Sequence, residues 1–190
     1  MRILITGAFG QLGHALQSVL SKKTKYELIC TGRKVKKGQK AIPLDIRNQV
    51  ALKELINTTA PDILINLAAM TNVDACELNP KLAGEINVAG IEHICDSFKG
   101  KIIHLSTDYV FDGTSGPYKE DDPLNPISIY GKTKLASEHI LLEKDIKNLV
   151  IRGNVLYDYS PHTSASFLNW VVSSLKDNQE IKVVEDQFNN

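Results

Sequence analysis

Short apolar runs alternate along this chain with longer segments whose apolar residues recur every three to four positions. The longer segments predict amphipathic helices, and the short runs, rich in Ile, Leu and Val, predict buried strands. We predict strands at residues 3–5, 27–30, 41–44, 62–67, 101–105, 149–151 and 181–184. We predict helices at residues 11–22, 48–58, 80–98, 127–144 and 166–177.

The alternation of strands and helices is typical of successive βαβ units. It predicts an α/β, doubly wound Rossmann fold, with a parallel sheet covered by helices on both sides. The long irregular stretch at residues 111–126 contains three prolines and two glycines. Loops of this length in compact domains are usually functional or disordered.

Composition narrows the classes of protein to consider. The 190 residues carry 22 basic and 22 acidic side chains, so the net charge is zero and a nucleic-acid partner is disfavoured. No apolar run is long enough to span a bilayer, and the first residues lack a signal-peptide pattern. Cys30, Cys76 and Cys95 have apolar flanks, which favours buried thiols in a reducing compartment. We therefore expect a cytoplasmic protein without a membrane partner.

Three glycines follow the first predicted strand and open the first predicted helix. They form GxxGxxG at Gly7, Gly10 and Gly13, in the strand–turn–helix context that dinucleotide binding requires. Such a turn lets the backbone approach a pyrophosphate, and the helix N-terminus favours negative charge. A glycine-rich turn without a ligand is the alternative.

The end of the second predicted strand bears on the choice of nucleotide. NAD-binding chains usually place an acidic residue there, but this chain has Arg33, and its next acidic residue is Asp45. An arginine can hold a 2′-phosphate, so the sequence favours NADPH, with NADH as the alternative. The lysines that follow Arg33 are more simply read as a solvated loop.

A hydroxyl, a phenol and an ammonium group form the candidate catalytic set. Tyr130 and Lys134 lie four residues apart and so share a helical face. A nearby ammonium group lowers the pKa of a phenol, which can then exchange a proton with a carbonyl oxygen. Thr107, at the end of the fifth strand, can hydrogen-bond the same oxygen. Ser106 is the alternative hydroxyl, but strand alternation places it on the opposite face.

These motifs resemble the dTDP-4-dehydrorhamnose reductase (RmlD-like) family of the extended short-chain dehydrogenase/reductase superfamily. The matching segments are GAFGQLG, NLAAMTNVDACE, INVAG, STDYVFDG, YGKTKLASE and VVEDQF. The resemblance implies that Thr107, Tyr130 and Lys134 are catalytic. It implies substrate contacts at Thr107, Asp108, Tyr109 and Val155, and a supporting role for Asn87. It also implies cofactor contacts at Gly7, Phe9, Gly10, Gln11, Leu12, Gly13, Arg33, Asp45, Ile46, Leu67, Ala68, Ala69, Thr71, Tyr130 and Lys134.

The resemblance implies an NAD(P)H-dependent reductase of a 4-keto-6-deoxy nucleotide sugar, in deoxysugar or cell-surface polysaccharide biosynthesis. Related dehydratases carry an acidic pair after the threonine, but here Asp108 is followed by Tyr109. The alternative is a non-catalytic dinucleotide-binding subunit that resembles the regulatory β-subunit of methionine adenosyltransferase. Some family members are associated with magnesium, but the sequence shows no motif for it. Its five histidines have no ligand spacing, so we predict no metal site.

We expect an NAD(P)-binding Rossmann domain at residues 1–152. Residues 153–190 would hold its last elements and the start of a truncated substrate-binding lobe, most of which is absent from this chain. The family commonly has Arg-Thr-Ser-Trp after the sixth strand, whereas this chain has Arg152-Gly153-Asn154-Val155. A nucleotide sugar is the expected partner, and a homodimer is left open.

Overall fold

The structure, a computed structural model, describes residues 1–36, 38–145, 147–156 and 167–183. Its strands are β1 (Arg2–Thr6), β2 (Glu27–Gly32), β3 (Ile42–Pro43), β4 (Ile63–Asn66), β5 (Lys101–Thr107) and β6 (Leu149–Gly153). Its helices are α1 (Gln11–Lys23), α2 (Gln49–Thr59), α3 (Val73–Leu78), α4 (Pro80–Gly84), α5 (Gly90–Ser97), α6 (Ile129–Lys144) and α7 (Phe167–Lys176). A π-helical segment, Glu85–Ala89, joins α4 to α5, and a 3₁₀ turn, Asp108–Val110, follows β5.

The strands pair in parallel, in the order β3-β2-β1-β4-β5-β6. This order reverses direction between β1 and β4, and ligands of open α/β sheets bind in the crevice at such a point. The predicted doubly wound parallel fold is confirmed. No helix in the described ranges is long and apolar enough to cross a membrane.

The core occupies both faces of the sheet because alternate residues of each buried strand point to opposite sides. Leu4 of β1 belongs to the larger cluster, which includes Leu52 of α2 and Ile94 of α5. Ile3 and Ile5 belong to the smaller cluster, against which α1 packs. Burial on both faces explains why the strands read as continuous apolar runs. The predicted burial of the three cysteines is also confirmed.

Side-chain caps define the starts of several helices. Asn48, Asn72 and Ser128 accept hydrogen bonds from main-chain N–H groups at the starts of α2, α3 and α6. The cap of α1 is Gly10, which offers no side-chain oxygen, and the first turn of α1 has no acidic residue. The N–H groups at the start of α1 are therefore left for another acceptor.

Two sequence predictions need correction, and one helix was missed. The single helix predicted at residues 80–98 contains the π-helical segment, and the short helix α3 was not predicted. Residues 181–183 form no strand, so the strand predicted at residues 181–184 is wrong over its described part. Ser166, the first residue of the last predicted helix, lies outside the described residues. So do residues 184–188, which include Val184 of the last predicted strand and the rest of the VVEDQF segment.

Candidate active site

The glycine turn lies against the end of β4. Gly7 has φ +67°, and a Cβ built on it would lie 2.6 Å from the Leu67 carbonyl carbon and the Ala68 nitrogen. Backbone occupies this space, so only glycine fits the turn. A Cβ on Gly13 would lie 2.5 Å from the Ala8 carbonyl oxygen, which shows how closely α1 approaches the turn.

A cleft of about 200 Å³ opens beside this turn, at the carboxyl ends of the strands. Eight of the predicted cofactor residues line it: Gly7, Gly10, Arg33, Asp45, Ile46, Leu67, Ala68 and Ala69. Gly32, Leu44 and Ile86 also line it and were not predicted. The cleft, the close-packed glycines and the uncapped helix start fit a dinucleotide, because phosphates bind where free N–H groups converge.

The other predicted cofactor residues of this region, Phe9, Gln11, Leu12, Gly13 and Thr71, are not among the described lining residues of the cleft. Phe9 lies beside Gly32, since a Cβ on Gly32 would approach its ring to 2.8 Å. The Gln11 amide donates to the Leu156 carbonyl at 3.2 Å. Thr71 is exposed. Gln11 thus joins the glycine turn to the stretch after β6.

Charged side chains surround Asp45 at the rim of the cleft. Arg47 contacts the Asp45 carboxylate at 2.7 Å, and its hydrogen bonds hold the pKa of Asp45 below its ordinary value. Arg33 is exposed at the same rim, and its charge also lowers this pKa slightly. Two arginines therefore stand where the sequence predicts recognition of the nucleotide.

Thr107 and Tyr130 meet where β5 ends and α6 begins. Thr107 is the last residue of β5, and its hydroxyl lies close enough to the Tyr130 phenol to lower the pKa of that phenol. The Thr107 hydroxyl also contacts Asp108 Oδ1 at 3.1 Å and accepts from the Tyr109 N–H at 3.2 Å. The Tyr109 ring meets the Tyr130 ring edge-on, with centroids 5.7 Å apart. Four of the predicted residues are thus brought together.

A glycine that the sequence interpretation did not use makes this junction possible. Gly131 follows Tyr130, and a Cβ on it would overlap the Tyr109 carbonyl oxygen. The Ser128 cap fixes the first turn of α6 at the same place, through the Gly131 N–H at 3.0 Å. The signal in the sequence is the glycine directly after Tyr130. Its importance is visible only when α6 is placed against the 3₁₀ turn, because the backbone of Gly131 then lies against the Tyr109 carbonyl.

Lys134 lies one turn further along α6 and is almost fully buried. Its Nζ donates to the Leu105 carbonyl at 2.7 Å and lies 2.9 Å from His104 Nε2. The sequence interpretation did not single out His104, which is also fully buried. Periodicity places such a histidine in a strand but does not reveal which side chain of α6 it faces.

The two pKa directions differ from the sequence expectation. The expected effect was a lowered phenol pKa next to a permanent ammonium group. Burial instead raises the pKa of Tyr130, and the hydrogen bond from Thr107 offsets only part of this rise. Burial lowers the pKa of Lys134 to about 7, and the carboxylate of Glu138 opposes this. Removal from water disfavours the charged form of each group, and in this structure that effect dominates.

Ser106 is engaged elsewhere, which leaves Thr107 as the hydroxyl beside Tyr130. The Ser106 hydroxyl donates to Glu138, which is 1% exposed. The two hydroxyls therefore lie at different places along α6, with Ser106 at Glu138 and Thr107 near its first turn. Arg152 of β6 completes this cluster with a 2.8 Å ion pair to Glu138.

Arg152 also holds the long loop at residues 111–126. Its guanidinium donates to the Glu120 carbonyl at 2.8 Å and lies 5.5 Å from the centre of the Phe111 ring. Phe111 in turn stacks on Tyr118 at 4.5 Å. The loop is therefore joined through Arg152 to β6, next to Thr107 and Tyr130.

Asn87 ties the segment after β4 to α6. It accepts from the Met70 N–H at 2.8 Å and donates to the Met70 carbonyl and to Thr133 Oγ1. It lies in the π-helical segment, a type of irregularity that is frequent at functional sites. Its contacts agree with the supporting role that the resemblance implies. Val155 is 37% exposed, and its described contacts do not join it to Tyr130.

Metal ligation finds no support in the described part of the chain. No group of three or more His, Cys, Asp or Glu side chains is placed there to hold a metal ion. Among the five histidines, His162 lies outside the described residues. His93 contacts the Ile46 carbonyl at 3.1 Å.

The depressed pKa of Lys134 predicts a pH-dependent stability. Between pH 7 and 10.5 the unfolded chain keeps a proton on this lysine that the folded chain has lost, so stability rises with pH. Lys134→Met removes this proton. We expect the free energy of unfolding of the native chain, minus that of the variant, to rise by up to about 1.4 kcal/mol per pH unit across this range. Urea unfolding at pH 6 to 10 measures it, and a pH-independent difference would contradict the buried lysine.

Comparison with known protein families gives a match along the whole chain. Residues 1–190 match the family model described as the RmlD substrate binding domain. A dTDP-4-dehydrorhamnose reductase of Aggregatibacter actinomycetemcomitans is 34% identical over 191 residues, which cover 98% of this chain and 61% of that protein. The β subunit of methionine adenosyltransferase 2 from Xenopus laevis is 36% identical over 159 residues, which cover 82% of this chain and 47% of that protein.

A solved structure supports the same relationship. The dTDP-4-dehydrorhamnose reductase of Bacillus anthracis, in complex with NADP, superposes with a TM-score of 0.82 and 32% identity. The superposition covers 98% of this chain and 63% of the reductase. The chain therefore spans about three fifths of the length of the reductases that it resembles.

Proposed function

Because this chain belongs to the RmlD substrate binding domain family, we propose that it is an NADPH-dependent reductase of a 4-keto-6-deoxy nucleotide sugar. The observation that carries this proposal is the meeting of Thr107, at the end of β5, with the Tyr109 and Tyr130 rings at the start of α6, with Lys134 one helical turn further along that helix. A hydroxyl and a phenol that converge on one point can hold and protonate a carbonyl oxygen. The reductases named above supply dTDP-4-dehydrorhamnose as the first substrate to test.

The residues that line the cleft would bind the cofactor. Main-chain N–H groups at the start of α1 would bind the pyrophosphate, and Arg33 would bind the 2′-phosphate that distinguishes NADPH from NADH. When bound, the dinucleotide supplies the hydride. The NADP complex of the Bacillus anthracis reductase supports this choice of nucleotide.

The chain's own residues handle the proton. The raised pKa of Tyr130 keeps the phenol protonated at neutral pH, which is the form that a reduction requires. The Thr107 hydroxyl and the Tyr130 O–H would both contact the substrate oxygen, and the phenol would transfer its proton to it. Lys134 has a pKa near neutrality and can return a proton to Tyr130. Asp108 and Tyr109 would face the sugar.

A second candidate function is a dinucleotide-binding subunit that does not turn over substrate. The 36% identity to a methionine adenosyltransferase β subunit favours it. The reductase is favoured by the placement of Thr107 near Tyr130 and by the position of Tyr130 and Lys134 on one face of α6.

One experiment separates the two candidates. The chain is titrated with NADPH and with NADH, and cofactor oxidation is then followed at 340 nm after addition of dTDP-4-dehydrorhamnose. The reductase proposal expects tighter binding of NADPH and one NADPH consumed per sugar reduced. Binding without consumption would favour the subunit, and failure to bind either nucleotide would exclude both.

A further inference from the structure

A chain of buried polar side chains runs through the sheet behind Lys134. It consists of Thr6 on β1, Asn66 on β4, His104 on β5 and Ser137 on α6, and each is at most 1% exposed. Buried polar groups are costly unless they are hydrogen-bonded, so these four side chains hold one another in fixed orientations. We refer to them as the buried polar chain. The resemblance assigns none of them a role.

The hydrogen bonds of the buried polar chain all run the same way, from donor to acceptor, from Thr6 towards Ser137. The Thr6 hydroxyl donates to the Asn66 carbonyl oxygen, and Asn66 Nδ2 donates to His104 Nδ1 at 3.0 Å. A neutral imidazole that accepts at Nδ1 carries its proton on Nε2. The Ser137 hydroxyl donates to the Lys134 carbonyl at 2.6 Å and is free to accept from Nε2–H at 3.1 Å. With the Asn66 amide in this orientation, His104 is the Nε2–H tautomer.

Lys134 completes the network on the side of the active site. Its Nζ lies 2.9 Å from His104 Nε2 and 2.7 Å from the Leu105 carbonyl oxygen. Because Nε2 carries one proton, Ser137 Oγ and an amine form of Lys134 share this N–H as acceptors. Burial and the positive charge of Lys134 keep the pKa of His104 well below its ordinary value, so the ring stays neutral.

Two other titratable groups lie one helical turn from Lys134 on α6. Glu138 lies one turn further along α6, and its carboxylate is paired with Arg152 of β6 and hydrogen-bonded by Ser106 of β5. Tyr130 lies one turn before Lys134 on the same helix. Glu138 favours the ammonium form of Lys134, whereas burial disfavours it. The His104 imidazole contacts Nζ directly, beside the Leu105 carbonyl.

Resting on the reductase function proposed above, we propose that His104 is a positioning residue of the reaction. Its imidazole, held by Asn66 and Ser137, keeps the Lys134 side chain against the Leu105 carbonyl, where it can exchange a proton with Tyr130. During reduction the phenol gives its proton to the substrate oxygen and becomes a phenolate. The Lys134 ammonium then reprotonates it, and the resulting amine accepts from His104 Nε2–H until a proton arrives from solvent.

Two variants that differ by one methylene test this role. His104→Asn keeps a partner for Asn66 but is too short to reach Lys134, whereas His104→Gln places an amide near the former Nε2. We expect His104→Asn to lower kcat about 10- to 100-fold, as misplacement of a supporting group does. The Kd of NADPH should stay within about threefold, because the glycine turn is untouched. His104→Gln should restore kcat to within about fivefold of the native value.

His139→Asn is the matched control, since His139 is exposed on the same helix. It should leave both kcat and the Kd of NADPH unchanged. Circular dichroism and urea unfolding establish that each variant is folded. If His104→Asn does not fold, His104→Gln alone remains decisive, because a fall in kcat of more than tenfold in a folded His104→Gln variant would overturn the positioning role.

A second readout does not depend on turnover. The NMR signal of the Lys134 ε-carbon reports the protonation of this lysine as a function of pH. The signal is assigned as the one that disappears in Lys134→Met. We expect a midpoint near the pKa of about 7 in the native chain and a higher midpoint in His104→Asn, which lacks the N–H that favours the amine. A midpoint at or below the native value in a folded His104→Asn variant overturns the inference, whatever its kcat. If the native chain fails to oxidise NADPH but the midpoint still rises, only the reductase proposal fails.

Discussion

Tyr130→Phe is expected to lower kcat about a thousandfold, within the range that general acid catalysis contributes. The variant keeps the ring that packs against Tyr109 but loses the O–H near the Thr107 hydroxyl. Without that O–H the substrate oxygen loses the group that we propose transfers a proton to it. The Kd of NADPH should change less than threefold, because Tyr130 is not among the described residues that line the cleft.

The measurement is steady-state NADPH oxidation together with a fluorescence titration of NADPH. Tyr26→Phe is the matched control, because Tyr26 is exposed far along the chain from the site, and it should behave as the native chain does. A Tyr130→Phe variant with native kcat would show that the phenol is not the acid. A variant that has also lost NADPH binding would show a structural effect instead.

Arg152→Leu is expected to reduce the free energy of unfolding by about 3–5 kcal/mol, the cost of removing one partner of a buried ion pair. Glu138 is 1% exposed and would keep only its hydrogen bond from Ser106. The same substitution removes the donor to the Glu120 carbonyl, so the loop at residues 111–126 loses a tie to β6. Urea unfolding of both proteins at pH 7 measures the difference.

The double variant Glu138→Leu with Arg152→Leu should recover most of the lost stability, because replacing a buried pair by apolar side chains is often neutral or stabilising. Lys144→Leu is the contrasting control, since the Lys144–Asp96 pair is about half exposed on both sides. Its removal should cost less than about 1 kcal/mol. If Arg152→Leu costs no more than Lys144→Leu, the Glu138–Arg152 pair does not stabilise this edge of the sheet.

Local sequence pattern predicted the parts of the fold that depend on short-range order. The buried strands were predictable because they are apolar runs. The glycine turn and the Tyr130–Lys134 spacing were predictable because each lies within a short stretch of sequence. The π-helical segment was not predictable from periodicity, because one extra residue per turn hardly disturbs the apolar pattern. Residues 181–183 show the converse, since their β-branched residues form no strand in this structure.

The supporting side chains were harder to predict because their partners are distant in sequence. His104 and Lys134 are 30 residues apart, and Thr6 and Asn66 are 60 residues apart. Gly131 became meaningful only when α6 was placed against the Tyr109 carbonyl. The prediction of a lowered Tyr130 pKa was wrong for a related reason. The spacing of Tyr130 and Lys134 does not reveal that both side chains are buried, and burial dominates both pKa shifts.

The most direct test of the central proposal is a single-turnover measurement with the chain in excess over dTDP-4-dehydrorhamnose, in the presence of NADPH. Excess protein detects even slow chemistry, so the result does not depend on rapid product release. The proposal predicts a loss of NADPH absorbance at 340 nm equal to the sugar added, and its absence in Tyr130→Phe over the same period. Bound NADPH that stays reduced in the native chain for hours would contradict the assignment of Thr107, Tyr130 and Lys134 as a working reductase site.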